Sequence, residues 1–318
     1  MITQQATYLA YAGGWQAVRH MPEAAAYRMF QGVADLQWRR RTPSVRRLEA
    51  NLARAMAGAS PAELRAASRA GMRSYMRYWC DAFRLPSWSQ EKIRTFRMTN
   101  EHELADALAT GRGVVAALPH QGNWDHAGAY MSQGLAQVHT VAEKVEPIRL
   151  FESFVEFRES LGMRIYGMGD AGVFRQLADT LTSGGFVALL ADRDLSAKGI
   201  DVDFLGERAR FPAGPAALAV DTGAILRPVE LFWEDGNAAT ILPEILPPIE
   251  GSRQERIEGT TQALADALAG AIQRHPQDWH MLQRLWLADL DQSRLAERDA
   301  AQGRAPGEPV DDSDMGGV

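Results

Sequence analysis

Two short apolar runs limit what this chain can become. Val114-Val115-Ala116-Ala117-Leu118 and Phe186-Val187-Ala188-Leu189-Leu190-Ala191 contain no polar residue to mark a wetted face, so each reads as a strand covered on both sides. Strands buried on both faces belong to parallel sheets whose crossover helices cover the two surfaces. The chain supplies those crossovers, with Val138 to Ala142 and Met163 to Tyr166 as further strands and Ile148 to Leu161 and Val173 to Leu181 as helices. The pattern predicts an α/β fold, a mainly parallel central sheet flanked by helices. Each run ends in polar residues, Pro119-His120 after the first and Asp192-Arg193-Asp194 after the second. Open α/β sheets carry their chemistry at such strand ends.

Downstream, Val202 to Arg210 alternates apolar and polar residues and predicts a hairpin around Gly206. Strands are expected at Ile225 to Phe232 and Ala238 to Leu242, and helices at Ala216 to Thr222 and Glu255 to His275, with Asp278 to Leu282 closing the core. Residues 99–290 form the expected catalytic core. Residues 1–98 read as a basic helical region of the same domain, and 291–318 as a polar, partly disordered tail. Two amphipathic helices are expected between residues 5 and 40, carrying Tyr8, Tyr11, Trp15 and Phe30 and joined at His20-Met21-Pro22. Ser60 with Glu63 predicts a capped start for a helix running on to Phe83. Along it Arg65, Arg69, Arg73 and Arg77 recur every four residues, which predicts a solvated basic face, with anion binding as the alternative.

The single cysteine, Cys80, forbids an intrachain disulfide and a Cys-rich zinc site. Seven scattered histidines show no ligand spacing, so no metal is expected, and no Gly-rich phosphate loop follows a strand. No run of eighteen apolar residues and no signal-peptide pattern occur, which predicts a chain neither spanning nor secreted. Basic residues outnumber acidic ones 16 to 6 over residues 1–98, against 18 to 34 in the remainder. That split predicts an anionic membrane surface as partner of the N-terminal region, where aromatics lie among Arg39-Arg40-Arg41 and Arg46-Arg47. Nucleic acid is a poor fit, since the rest of the chain is acidic. Oligomeric state is left open.

After the first apolar run, Asn123 can cap a helix, so His120 and Asp125 can meet across one strand-to-helix turn. Asp125 can equally satisfy donors of the helix's first turn. An imidazole beside a carboxylate is a general base with its tautomer fixed.

The segment His120-Gln121-Gly122-Asn123-Trp124-Asp125 resembles the His-x4-Asp signature of the glycerolipid and lipid A type acyltransferases. In its fuller form it is similar to the branch containing the lipid A late acyltransferases and the phosphatidylinositol mannoside acyltransferases of actinobacteria. Likeness to the latter runs from about Tyr11 to Leu290 and includes Val141-Ala142-Glu143, Phe157-Arg158-Glu159, Ala191-Asp192-Arg193-Asp194-Leu195, Arg210-Phe211-Pro212 and Asp278-Trp279-His280. The resemblance implies a long acyl chain, palmitoyl by expectation, moving from acyl-CoA to a mannose hydroxyl of a glycolipid acceptor at the cytoplasmic face of the membrane. It implies direct attack without an acyl-enzyme and without a cofactor.

On that likeness His120 is the base and Asp192 aligns it, with Asp194 as the alternative. Asp125 supports the turn, Asn123 and Trp124 form the turn and floor of the cleft, and Glu143, Arg158, Arg193, Asp194 and Arg210 serve substrate binding. Asp192 stands where the family is expected to carry Glu, so a backbone shift or a water is expected to close the distance to His120. Three other readings remain: transfer to a lipid A type or other glycolipid from acyl carrier protein or CoA, a lipid-binding protein with an inactive site, and thioester hydrolysis by water in the same cleft.

Overall fold

A computed structural model describes residues 13–145, 147–194 and 199–290. The expected tail at 291–318, Tyr8, Tyr11 and Leu195 lie outside the described residues. In chain order the helices are α1 (Glu23–Arg39), α2 (Pro43–Ala55), α3 (Pro61–Arg84), α4 (Glu101–Ala109), α5 (Trp124–Gly134), α6 (Ile148–Ser160), α7 (Val173–Thr182), α8 (Gly214–Thr222) and α9 (Arg253–Arg274). A helical stretch over residues 13–20 precedes α1. The strands are β1 (Arg97–Thr99), β2 (Val114–Leu118), β3 (Val138–Ala142), β4 (Arg164–Gly167), β5 (Phe186–Leu190), β6 (Ile200–Phe204), β7 (Glu207–Phe211), β8 (Ile225–Trp233) and β9 (Asn237–Ile241).

Seven strands make one sheet in the order β1-β9-β8-β2-β5-β3-β4. β8, β2, β5, β3 and β4 run parallel, while β9 returns antiparallel to β8 and β1 follows β9. β6 and β7 form the expected hairpin apart from it, turning through Leu205 and Gly206 at positive φ. The apolar β2 sits in the middle and feeds two cores by strict alternation. Val115 and Ala117 pack with residues of α7, α8, α9 and the hairpin. Val114, Ala116 and Leu118 pack with residues of α4, α5 and α6. Helices therefore cover both faces, as an apolar parallel strand demands.

A third, smaller core of Ala34, Val45, Leu48, Leu52 and Met72 binds α1, α2 and α3 together. Ser60 and Glu63 form the capping box that starts α3. The arginine stripe on α3 departs from its expected solvated role. Arg65 pairs with Glu49, and both Arg69 and Arg73 chelate Asp35 of α1. Asp35 is held well below the usual carboxylate range by those two arginines. Four-residue spacing marks a helix face correctly, but the facing acids come from other helices and carry no signal in the local pattern. The N-terminal aromatics divide in the same way. Trp15 packs on Phe83, Phe154 and Phe157, while Met29, Val33 and Leu36 form an exposed stripe along α1. Among the described residues no helix is long and apolar enough to cross a membrane.

Candidate active site

Register builds the centre of the site. Leu118 of β2 pairs with Leu190 of β5, so two residues further on His120 and Asp192 emerge abreast. Asp192 Oδ1 lies 2.5 Å from His120 Nδ1, and Oδ2 accepts the His120 backbone N–H at 3.0 Å. Trp279 Nε1 donates to the same Oδ2 at 2.9 Å. Asp192 is wholly buried, while the His120 side chain keeps 26% of its surface. Burial alone would push the Asp192 carboxyl up, but the His120 charge and these hydrogen bonds outweigh it and hold the carboxyl below its ordinary value. An ionised Asp192 accepts the Nδ1 proton, which leaves His120 Nε2 as the basic nitrogen. The shorter Asp side chain reaches the ring directly. The expected backbone shift or bridging water is unnecessary because the sheet already sets the two strand ends side by side.

Asp125 departs from the expected contact with His120. Its Oδ2 accepts from the Tyr78 hydroxyl at 2.9 Å, and its two oxygens receive Arg158 Nε and Nη2 at 2.6 and 3.2 Å. The turn between the two motif residues explains this. Gly122 has φ 60°, and a Cβ there would sit 2.7 Å from the Leu231 backbone carbonyl carbon, so the chain presses against β8 before α5 begins. Asn123 caps α5 by accepting the His126 N–H and donates to buried Asp81 of α3. Asp125 then points toward α3 and α6. Arg158 stays strongly cationic, since Asp125 outweighs the burial that opposes its charge. Burial, with Asp125 second, raises the Tyr78 hydroxyl well above its usual range.

Below these polar groups opens an apolar cavity of about 290 Å³. Its lining joins the polar His120, Asp125, Glu143 and Arg158 to sheet residues such as Ala116, Leu118 and Leu190 and to Ala127, Gly128 and Met131 of α5. Trp124 lines the same cavity, packs on Tyr78 in a tilted contact with centroids 4.1 Å apart and meets His120 edge-on. An oriented imidazole at the rim of an apolar slot can deprotonate an alcohol beside a bound hydrocarbon chain.

The remaining predicted residues separate. Arg193 reaches toward Glu143 at 3.7 Å, and its buried Nε has no hydrogen bond. Asp194 accepts from the Gly199 N–H rather than from His120. Arg210 is drawn to Asp201 across the β6–β7 hairpin, at 2.6 and 3.2 Å, and does not line the cavity. Three neighbours of the site escape the sequence reading: Trp279 on Asp192, Tyr78 on Asp125, and His280, whose backbone N–H donates to the His120 carbonyl at 2.7 Å. Trp279 and His280 appear in the sequence as part of a core-closing stretch and of the family likeness, with nothing there to give them a place beside His120 and Asp192.

The family model for bacterial lipid A biosynthesis acyltransferases matches residues 1–288. A phosphatidylinositol mannoside acyltransferase of Mycolicibacterium smegmatis is 42% identical over 297 residues, covering 92% of this chain and 95% of the relative. Another protein of that name, from Mycobacterium tuberculosis, is 41% identical over 304 residues, 93% of each chain. The chain belongs to the bacterial lipid A biosynthesis acyltransferase family and is an O-acyltransferase.

Proposed function

We propose that this enzyme moves a long acyl chain, palmitoyl by preference, from acyl-CoA to a mannose hydroxyl of phosphatidylinositol mannoside. The observation that carries the reading is the His120–Asp192 pair, with His120 lining an apolar cavity. The chain lies in the cavity with its thioester near His120. Nε2 takes the proton of the acceptor hydroxyl as its oxygen attacks the thioester carbon, and the imidazolium returns that proton to the departing thiolate when the C–S bond breaks. Asp192 stabilises the imidazolium through Nδ1. Glu143, Arg158 and Arg193 bind substrate, and Asn123 and Trp124 hold the turn and floor. The acceptor follows the names of the relatives.

The same proposal sets the enzyme on the cytoplasmic leaflet. Met29, Val33 and Leu36 share one exposed face of α1, with Arg39 and Arg40 exposed at its end, the pairing of apolar and cationic groups that an anionic lipid surface takes. The family match favours a second reading, transfer to a lipid A type acceptor from acyl carrier protein.

Purified protein given palmitoyl-CoA and phosphatidylinositol mannoside should form the ester, and His120→Ala should abolish it with the fold intact. Retained transfer by His120→Ala removes the assigned base. Faster turnover with a lipid A precursor and acyl carrier protein favours the second reading.

A further inference from the structure

Of the four arginines in the stripe along α3, Arg65, Arg69 and Arg73 meet acids and Arg77 does not. Arg77 has no hydrogen bond or ion pair among the described residues. Its guanidinium carbon lies 4.0 Å from the centroid of the Trp233 ring. With Tyr27, Phe30, Gln31, Arg73 and Trp233 it lines a cavity of about 190 Å³ between α1, α3 and the end of β8. Tyr78, the next residue on α3, lines the cavity of His120 instead. The two hollows therefore flank one helix, and β8, parallel to β2, brings Trp233 to the sheet edge that carries His120.

Burial works against the charge of Arg77, and the pull of Asp278 and Asp81 does not restore it to its ordinary strength. Neither acid forms an ion pair or a hydrogen bond with the guanidinium among the described residues. Asp278 accepts from Ser74 and from the Trp233 N–H, and Asp81 from Tyr27, Asn123 and Asn237. Burial also pushes both carboxyls upward from their ordinary value. Arg73 gives its own guanidinium to Asp35. What remains is a partly dehydrated fork of N–H donors facing open space, with an indole on one side and the exposed Gln31 at the rim. Such a fork matches the geometry of a phosphate or phosphodiester oxygen pair, which would replace the water the guanidinium has lost.

We propose that the cavity of Arg77, Trp233 and Gln31 is an oxyanion site for a phosphate group, separate from the acyl-transfer centre and independent of the acceptor assigned above. The phosphate is either a free ion or part of a lipid headgroup, and the chemistry at Arg77 is the same for both.

Titration of the whole protein with inorganic phosphate, followed by calorimetry, tests the first source. Flotation with phosphatidylcholine vesicles, with and without phosphatidylinositol, tests the second. Arg77→Gln should weaken the binding at least about tenfold, the loss expected when a charge-assisted pair of hydrogen bonds is removed. Gln31→Glu keeps the shape but presents a carboxylate to Arg77, so it should displace the phosphate to a similar degree and decides the matter if Arg77→Gln folds poorly. Gln37→Glu makes the same charge change on α1 outside the cavity and should leave binding unaltered. Saturable binding of free phosphate sensitive to Arg77→Gln or Gln31→Glu identifies a small-anion site. The same sensitivity seen only on phosphatidylinositol vesicles identifies a headgroup site. Binding untouched by either variant, or weakened equally by Gln37→Glu, overturns the proposal.

Discussion

Asp192 grips His120 at two places, the ring Nδ1 at 2.5 Å and the backbone N–H at 3.0 Å. The double contact ties the orientation of the imidazole to the pairing of β2 with β5, so the ring is aligned by the sheet itself. Trp279 donates to the same carboxylate and adds a third hydrogen bond to it.

Asp192→Asn should separate charge from shape. The amide can still accept the His120 and Trp279 N–H groups through its oxygen, so the thermal midpoint should move little. Its NH2 then faces Nδ1 and forces the ring proton onto Nε2, the wrong tautomer for a base. On the proposed mechanism kcat should fall by about 10²–10⁴-fold. A variant within a few-fold of the natural enzyme would show that Asp192 only shapes the strand end.

Asp125 and Arg158 form a pair that is almost out of water, with side-chain exposures of 2% and 17%. Removing one partner leaves an uncompensated buried charge, so Arg158→Ala should cost about 3–5 kcal/mol of stability. Asp125→Asn in the Arg158→Ala background should cost far less than Asp125→Asn alone. A double-mutant cycle read by urea unfolding and by kcat checks this. Coupling of Asp125 to Asp192 in place of Arg158 would restore the contact with His120 that the motif spacing suggested.

What the sequence makes legible is what lies along one strand or one helix face. The apolar runs at 114–118 and 186–190 give both the parallel sheet and the edge where His120 and Asp192 stand, since a two-sided burial pattern has few other solutions. The capping box at Ser60 and the hairpin at Gly206 are local and equally readable. The partners of those residues are not. Nothing near Trp279 marks it as a donor to a carboxylate 87 positions away, and the α3 arginines declare a face without declaring that Asp35 and Glu49 will cover it. The direction of Asp125 is not legible, because His-x4-Asp spacing permits a meeting across the turn and the pressure of Gly122 against β8 turns the carboxylate away.

Acid should loosen the fold through two buried neutral histidines. Burial holds His126 down to about 4, although its bond to the Ile93 carbonyl favours charge, and His280 down to about 3. In the unfolded chain both take up protons near pH 6.5, which the native state refuses. Stability is therefore full above pH 6.5 and falls as the pH drops toward 4, at up to about 1.4 kcal/mol per pH unit for each ring. Asp81 and Asp278, raised by burial, act in the opposite sense closer to the ordinary carboxylate range. Urea unfolding at pH 7.5, 6 and 5 should show the loss, and His126→Gln should flatten the slope. A slope unchanged by the substitution would mean that other groups govern acid unfolding.

Gly128 offers a test of what the apolar cavity holds. It lies on the cavity wall in α5, and a Cβ placed there would come 2.6 Å from Met163 Sδ, with Met163 also lining the cavity. A thioether side chain can give way, so Gly128→Ala should fold, but the displaced Met163 takes space from the hollow. Each methylene that no longer fits loses about 0.8 kcal/mol of burial, so excluding two should lower kcat/KM for a palmitoyl donor about tenfold. An octanoyl donor, too short to fill the cavity, should be nearly unaffected, and the preference should move toward shorter chains. Steady-state kinetics across a series of acyl-CoA lengths reads this directly. An equal fall at every length would mean that Gly128 matters to the fold of α5 and that the chain lies elsewhere.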